Sequence, residues 1–232
     1  MIQLRKAADR GHAHHGWLNT WYSFSFADYF DPDFISYSAL RVINEDRIAP
    51  GAGFPTHSHR DMEIITYMLQ GALEHKDSMG NGSVIRPGDV QRMSAGKGVS
   101  HSEFNASDKE EAHLLQIWME PSKQGIEPGY EQKSFSNIEK SGQFRLLASP
   151  DGEAGSVIIH QDARLYATLL DSQEEVDFSP LGGRRLYLHL ARGQVELNGV
   201  RMDQGDAARI TDETIHLLGL AVGSEALLFD LP

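Results

Sequence analysis

Residues 51–71 read GAGFPTHSHRDMEIITYMLQG. Glycine closes the stretch at both ends, His57 and His59 are one residue apart, and the run 63–69 is apolar and short. Runs of that length, bounded by Gly and Pro, are strands rather than helices. On a strand, residues i and i+2 project to the same face, so His57 and His59 aim together. Outward from this stretch the texture is unchanged: residues 21–26, 39–43, 113–119, 185–190 and 226–231 are short apolar or alternating runs, with Gly, Pro and Asn between them. Nothing sustains the periodicity of a long amphipathic helix. Many short strands without alternating helices predict an all-β chain, an antiparallel sandwich or barrel.

The chain has 232 residues, 40% of them apolar and 23% charged, enough for one large domain or two small ones. No window approaches the roughly 18 uninterrupted apolar residues of a membrane helix. Lys plus Arg is 21 against 33 Asp plus Glu, a formal charge of −12 that repels phosphate backbones and anionic lipid. Neither nucleic acid nor membrane is therefore an expected partner. Cysteine is absent, which removes disulfides, thiolate metal sites, iron–sulfur clusters and cysteine nucleophiles at once. Any metal must sit on His, Asp or Glu. The first eleven residues carry Arg5, Lys6, Asp9 and Arg10 with no apolar segment behind them, so the expected location is the cytoplasm. The expected state is a monomer.

The two halves echo each other. Leu69-Gln-Gly71-Ala-Leu-Glu74 has a counterpart in Ala191-Arg-Gly193-Gln-Val-Glu196, and Pro87-Gly88-Asp89-Val90 in Gln204-Gly205-Asp206-Ala207. Gly71 to Gly88 spans 17 residues and Gly193 to Gly205 spans 12, a hairpin-length drift that costs little. Between them, residues 121–130 (PSKQGIEPGY) combine two prolines and two glycines, which suits an exposed connection. Domains of residues 1–130 and 131–232 are expected.

The chemistry gathers in two i, i+2 pairs, His57-Ser-His59 and His101-Ser-Glu103. Three imidazoles and a carboxylate form a donor set for Fe(II), Mn(II), Co(II), Ni(II) or Cu(II), with room left for water or substrate. His12-Ala-His14 is a further His-x-His, but it has no glycine six residues before it and no glutamate four residues after it, and with His15 it is read as a polar loop at a pocket rim. Glu63 and Glu103 share strand parity with their neighbouring histidines, and spacing alone does not choose between them as the carboxylate ligand. Counted from the turn glycines, the second half holds Ser179 and Leu181 where His57 and His59 stand, and Leu218 and Leu220 for His101 and Glu103. No second metal site is expected there.

Gly51-x5-His57-x-His59-x3-Glu63-x7-Gly71 resembles the first cupin motif, and Gly98-x2-His101-x3-Asn105 the second. Residues 56–63 (THSHRDME), 78–81 (SMGN) and 93–103 (MSAGKGVSHSE) resemble the pirin family, as do His14-His-Gly-Trp17 and residues 22–26 (YSFSF). The resemblance is close over residues 10–135 and weaker beyond. It implies two cupin-type β-barrels in one chain, a bicupin. The N-terminal barrel would hold one metal, usually described as iron, and the C-terminal barrel none. It also implies His57, His59, His101 and Glu103 as ligands, with Glu63 behind them orienting a histidine N–H.

The function implied is a quercetin 2,3-dioxygenase-like enzyme acting on a flavonol or related phenolic with O2, without an organic cofactor, and with Glu103 as catalytic base. The alternative is a non-enzymatic, metal-dependent regulator of the transcriptional-cofactor kind that binds partner proteins. Sugar-phosphate isomerisation would need a basic cradle, for which only Arg60, Arg86, Arg92 and Lys97 are near. The run Asp108-Lys-Glu-Glu111 reads as a solvated loop.

Overall fold

The computed structural model describes residues 1–232, almost entirely as strands and loops, with one four-residue helix at Asn137–Lys140. The first strands are β1 (Ile2–Arg5), β2 (Gly11–His14), β3 (Leu18–Tyr22), β4 (Leu40–Ile48), β5 (Gly53–His59), β6 (Glu63–Gln70) and β7 (Leu73–Asp77). They are followed by β8 (Gly82–Ile85), β9 (Asp89–Ser94), β10 (Val99–Asn105), β11 (Ala112–Met119), β12 (Gly129–Ser134), β13 (Arg145–Ser149), β14 (Val157–Ile158) and β15 (Arg164–Leu170). The last are β16 (Glu175–Phe178), β17 (Arg185–Arg192), β18 (Gln194–Leu197), β19 (Val200–Asp203), β20 (Ala207–Thr211), β21 (Ile215–Gly219) and β22 (Ser224–Leu231).

The chain divides into two compact units. One comprises Gly11–Ser134 and Val157–Gln161, the other Met1–Arg10, Phe135–Ser156 and Asp162–Pro232. In the first, a large sheet ordered β12-β9-β6-β11-β4-β3-β2 packs against a small one ordered β5-β10-β7-β8. In the second, β1-β20-β17-β22-β15-β13 run side by side, opposite a small sheet ordered β16-β21-β18-β19. Apart from β2, the orders match strand for strand, so the repeat seen in the turn glycines extends through both sheets. Neither pair of sheets closes on itself. The expected barrels are open, two-sheet structures of the cupin kind.

The burial pattern follows from sheet position. β6 is central and buried on both faces except at Gln70, whereas β10 alternates, turning Val99, His101, Glu103 and Asn105 inward. Gly71 and Gly193 occupy the same turn with φ of +75° and +76°. A Cβ at Gly71 would lie 2.8 Å from the Glu111 carbonyl oxygen, and one at Gly193 would lie 2.5 Å from Ser224 Oγ, so both turns require glycine.

The division departs from a single cut near residue 130 in three places. Residues 121–128 do form a loop, but the chain then re-enters the same unit as β12, whose edge pairing with β9 runs from Gly129↔Ser94 to Ser134↔Asp89. Val157–Gln161 also belong to this first unit. At the other end, β1 is an edge strand on β20, with Ile2 opposite Ile210 and Leu4 opposite Ala208. Asp206, from the repeated Gly-Asp turn, secures it by accepting from Lys6 Nζ and the Ala7 amide, each at 2.7 Å. Burial alone would raise the Asp206 pKa, but these bonds hold the carboxyl below its ordinary range. Four alternating residues with no motif carry no signal in the sequence of so distant a partner.

Candidate metal centre

β5 and β10 lie side by side with His57 opposite His101 and His59 opposite Val99. The register shifts beyond His101, so that Glu103 faces Phe54. Pro55 sits at the shift and has no N–H to donate to the ladder, which makes it a natural place for the irregularity. The three imidazoles converge as the i, i+2 spacing requires. Their ring centroids are 4.5 Å apart for His57 and His101, 4.8 Å for His57 and His59, and 4.9 Å for His59 and His101. One nitrogen from each ring lies within 4.8 Å of the others.

These side chains suit a cation. His57 Nδ1 is 2.8 Å from the Pro55 carbonyl oxygen, which only accepts, so in the neutral ring the proton is on Nδ1 and the lone pair on Nε2. That lone pair faces His101 Nε2 at 3.1 Å. Burial, with His57 nearby, lowers the His59 pKa to about 4. Burial and the neighbouring histidines lower that of His101 to about 3. Both are neutral imidazoles at pH 7, the protonation state a metal requires.

Glu103 stands slightly apart. Its donor atom groups with His75 and His101 rather than with the trio, and its carboxyl is held by Gln116 Nε2 at 3.0 and 3.2 Å and Thr66 Oγ1 at 3.4 Å. Burial pushes its pKa up to about 7; Gln116 and Thr66 pull it down, while Asp46 adds to the rise. Glu63 lies elsewhere. Its Oε2 accepts from Ser94 Oγ at 2.9 Å and from the His160 amide at 3.1 Å. The histidine it touches, with Nδ1 at 3.3 Å, is thus His160 and none of the trio.

The centre opens on a cavity of about 390 Å³. Leu18, Tyr22, Phe26, Phe54, Ile64 and Trp118 give it an apolar, aromatic lining, and Trp118 packs edge-on to His59 at 5.0 Å. Polar groups occupy the floor: Thr20, Asn44, Asp46 and Gln116 project from the large sheet, where Asn44 pairs with Gln116 and Thr20 with Asp46. Asn44 Oδ1 and Trp118 Nε1 have no protein partner. Burial, reinforced by Glu45 and opposed by Thr20, raises the Asp46 pKa to about 6.

Sequence reasoning passed over Asp46, Gln116 and the His75/Asp77 pair. The signals were present: acids inside the strand run RVINEDRI, a Gln inside HLLQIWM, and a His-x-acid pair, His75-Lys-Asp77, four residues after Gly71. His12 and His14 belong to β2 rather than to a loop. His12 stacks on Trp21 at 4.9 Å and bonds Asn19 at 2.7 Å, outside the cavity lining. No phosphate cradle forms from Arg92 or Lys97, since Arg92 is buried against Glu131 at 3.2 Å and Lys97 pairs with Glu127 at 2.7 Å.

In the second unit the register places the repeat one residue before where glycine counting put it at the β16 end and three residues before it on β21. Four residues beyond each turn glycine, His75 pairs with Glu103 and Leu197 with Leu217. The next inward pair is His57↔His101 in one unit and Phe178↔Ile215 in the other. The counterparts of the trio and Glu103 are therefore Phe178, Pro180, Ile215 and Leu217, none with a ligand atom. His216 points outward and bonds Asp177 at 2.8 Å.

Residues 3–119 match the family model described as Pirin, and residues 146–231 the one described as Quercetinase C-terminal cupin domain. A protein named quercetin 2,3-dioxygenase from Escherichia coli (strain K12) is 48% identical over 232 residues, covering 100% of this chain and 99% of that protein. A pirin-like protein from Caulobacter vibrioides is 42% identical over 228 residues, 97% and 98% of the two chains. Among solved structures, YhhW from Escherichia coli superposes with a TM-score of 0.96 at 48% identity, covering 100% of this chain and 98% of that one. The bacterial pirin YhhW in complex with nickel(II) gives a TM-score of 0.94 at the same identity, with 100% and 99% coverage.

Proposed function

The chain belongs to the pirin family, and from that premise we propose that it is a metal-dependent dioxygenase that opens a flavonol or related phenolic with O2. The observation that carries this reading is the meeting of two Nε2 atoms at 3.1 Å, one of them a fixed lone pair, at the mouth of an aromatic-lined cavity. His57, His59 and His101 would hold the metal, with Glu103 as the fourth ligand. Fe(II) is the proposed native metal, and the nickel complex of YhhW supports a site of this family that also accepts Ni(II). When bound, the metal supplies a Lewis-acidic, redox-capable centre with open positions for a phenolic oxygen and O2.

The chain's own residues account for the rest. The aromatic walls take the flat rings of the substrate and exclude water, and Trp118 fixes the face of His59. Glu103, with a pKa near 7, would accept the proton of the flavonol 3-hydroxyl on its carboxylate oxygen, either as a ligand or after turning from the centre. Gln116 and Thr66 hold that carboxyl in reach. Overall, flavonol plus O2 would give a depside and carbon monoxide, both oxygen atoms entering the products and no reductant being consumed. No helix is long and apolar enough to cross a membrane; a cytoplasmic setting belongs to the same reading.

The test is oxygen uptake and carbon monoxide release from quercetin by protein loaded with Fe(II) or Ni(II). Equal amounts of gas consumed and released are expected. Metal uptake with neither gas changing would overturn the enzyme reading and favour the regulator.

A further inference from the structure

Behind the trio lies a fourth histidine that the proposed reaction leaves unused. His75 and Asp77 project from β7 toward β10, in the register His75↔Glu103 and Asp77↔His101, and both side chains are fully buried. The His75 ring is 5.3 Å from that of His101 and 5.1 Å from that of Tyr130. Its Nε2 is 3.2 Å from Asp77 Oδ2 and its Nδ1 is 3.4 Å from His101 Nδ1. Asp77 accepts in addition from the Met79 amide at 2.9 Å, the Asn81 amide at 3.0 Å and Asn81 Nδ2 at 2.9 Å.

These contacts fix where the protons are. A carboxylate surrounded by donors only accepts, so the proton it shares with His75 is carried on His75 Nε2. A neutral imidazole has one proton, which leaves a lone pair on His75 Nδ1. His101 Nδ1 must therefore donate to it. Its remaining nitrogen, Nε2, is then a lone pair aimed at His57 Nε2, which the Pro55 carbonyl holds in the same condition.

We propose that Asp77 and His75 are positioning residues that lock His101 in the tautomer whose Nε2 is free to bind a metal. The proposal rests on reading the trio as a metal centre. It gives the centre its affinity through a chain of hydrogen bonds that ends in the loop 78–81, and it gives His75 no ligand role, since both ring nitrogens are engaged. A His75 acting as ligand, beside His101 and Glu103, would have to release Asp77 or His101.

Two measurements on the full chain test this. In metal-free protein with 15N-labelled histidine rings, NMR should find His57 and His101 protonated on Nδ1 and His75 on Nε2. A proton on His75 Nδ1 would overturn the proposal whatever any variant does. By calorimetric titration with Zn(II), His75→Phe, which keeps the bulk and removes the acceptor, should bind roughly 10 to 100-fold more weakly. His75→Asn, which returns an acceptor oxygen near the place of Nδ1, should recover most of that loss. Equal binding by wild type and His75→Phe, or equal loss in Phe and Asn variants, overturns the relay while leaving the trio standing. Absence of binding by wild type overturns the metal centre itself. A metal-type shift of a His75 ring nitrogen on Zn(II) addition would make it a ligand and overturn the relay.

Discussion

The small sheets β5-β10-β7-β8 and β16-β21-β18-β19 are built alike and filled differently. In the first the inward pairs are His57↔His101 and His75↔Glu103; in the second they are Phe178↔Ile215 and Leu197↔Leu217. The apolar filling needs no partners, and each fully buried side chain of this size contributes roughly 1.5 to 3 kcal/mol. The polar filling is costly unless every group is paired, at roughly 1 to 3 kcal/mol for each that is not. Hence the supporting cast around it: Pro55 for His57, Asp77 for His75, Gln116 and Thr66 for Glu103. A strand pairing can thus be kept while its contents change from core to site, provided a second layer of partners changes with it.

The largest effect should come from removing one side of the histidine pair. His57→Ala and His101→Ala each take away a nitrogen donor, and metal content by elemental analysis should fall to background together with any oxygen uptake. Full occupancy in His101→Ala would end the assignment. In the other sheet, Leu217→Ala or Ile215→Ala should leave metal content untouched and lower stability by about 2 to 5 kcal/mol in urea unfolding. A loss of metal there would blur the contrast between the two units.

Titration sharpens the comparison, because Glu103 ionises and its counterpart Leu217 does not. Its folded pKa of about 7 lies above the ordinary 4.5, so the folded state binds the proton more tightly than the unfolded one. The stabilisation is complete below about 4.5 and declines as pH rises to about 7. Metal-free wild type should therefore lose stability relative to Glu103→Gln between pH 5 and 7.5. His59 and His101, lowered to about 4 and about 3, act in the opposite sense, adding stability as pH rises toward 6.5, but they do so equally in both proteins. A urea-midpoint difference that is flat with pH would place Glu103 outside this account.

Smaller effects come from the supporting residues. Asp77→Asn keeps an acceptor for His75 but removes the charge, and should weaken Zn(II) binding about 10-fold. Glu63→Gln should change metal affinity least, within about 3-fold, because its contacts are to Ser94 and His160. Its cost should appear instead as about 1 to 2 kcal/mol of stability. A loss of metal as large as that in Asp77→Asn would bring Glu63 back toward the centre.

Period-two alternation made the strands legible, and the i, i+2 spacing of His57, His59, His101 and Glu103 made their common inward aim legible, because both are local properties of a strand. Asp46 and Gln116 were hidden because a polar residue inside an apolar run acquires meaning only from what the opposite sheet places against it. His75 and Asp77 were hidden for a related reason: the same spacing, without a cross-strand register, does not say which histidine stands behind which. The slips of one and three residues in the second unit arose because hairpins of unequal length do not preserve a count from the turn glycine. Strand register does preserve it.

The pairing of β1 with β20 sets a clock on biosynthesis. Ile2 is made long before its neighbour Ile210. At roughly 5 to 20 residues per second, the first strand waits on the order of 10 to 40 seconds without its partner. Meanwhile every strand of the sheets that carry the histidines, Gly11 to Ser134, has already emerged. The nascent chain can thus form its chemical half early, while β1 trails as a loose end until β20 is made. A pulse-labelled chain arrested near residue 200 should show the first ten residues cut by protease and the strands of the first unit resisting it.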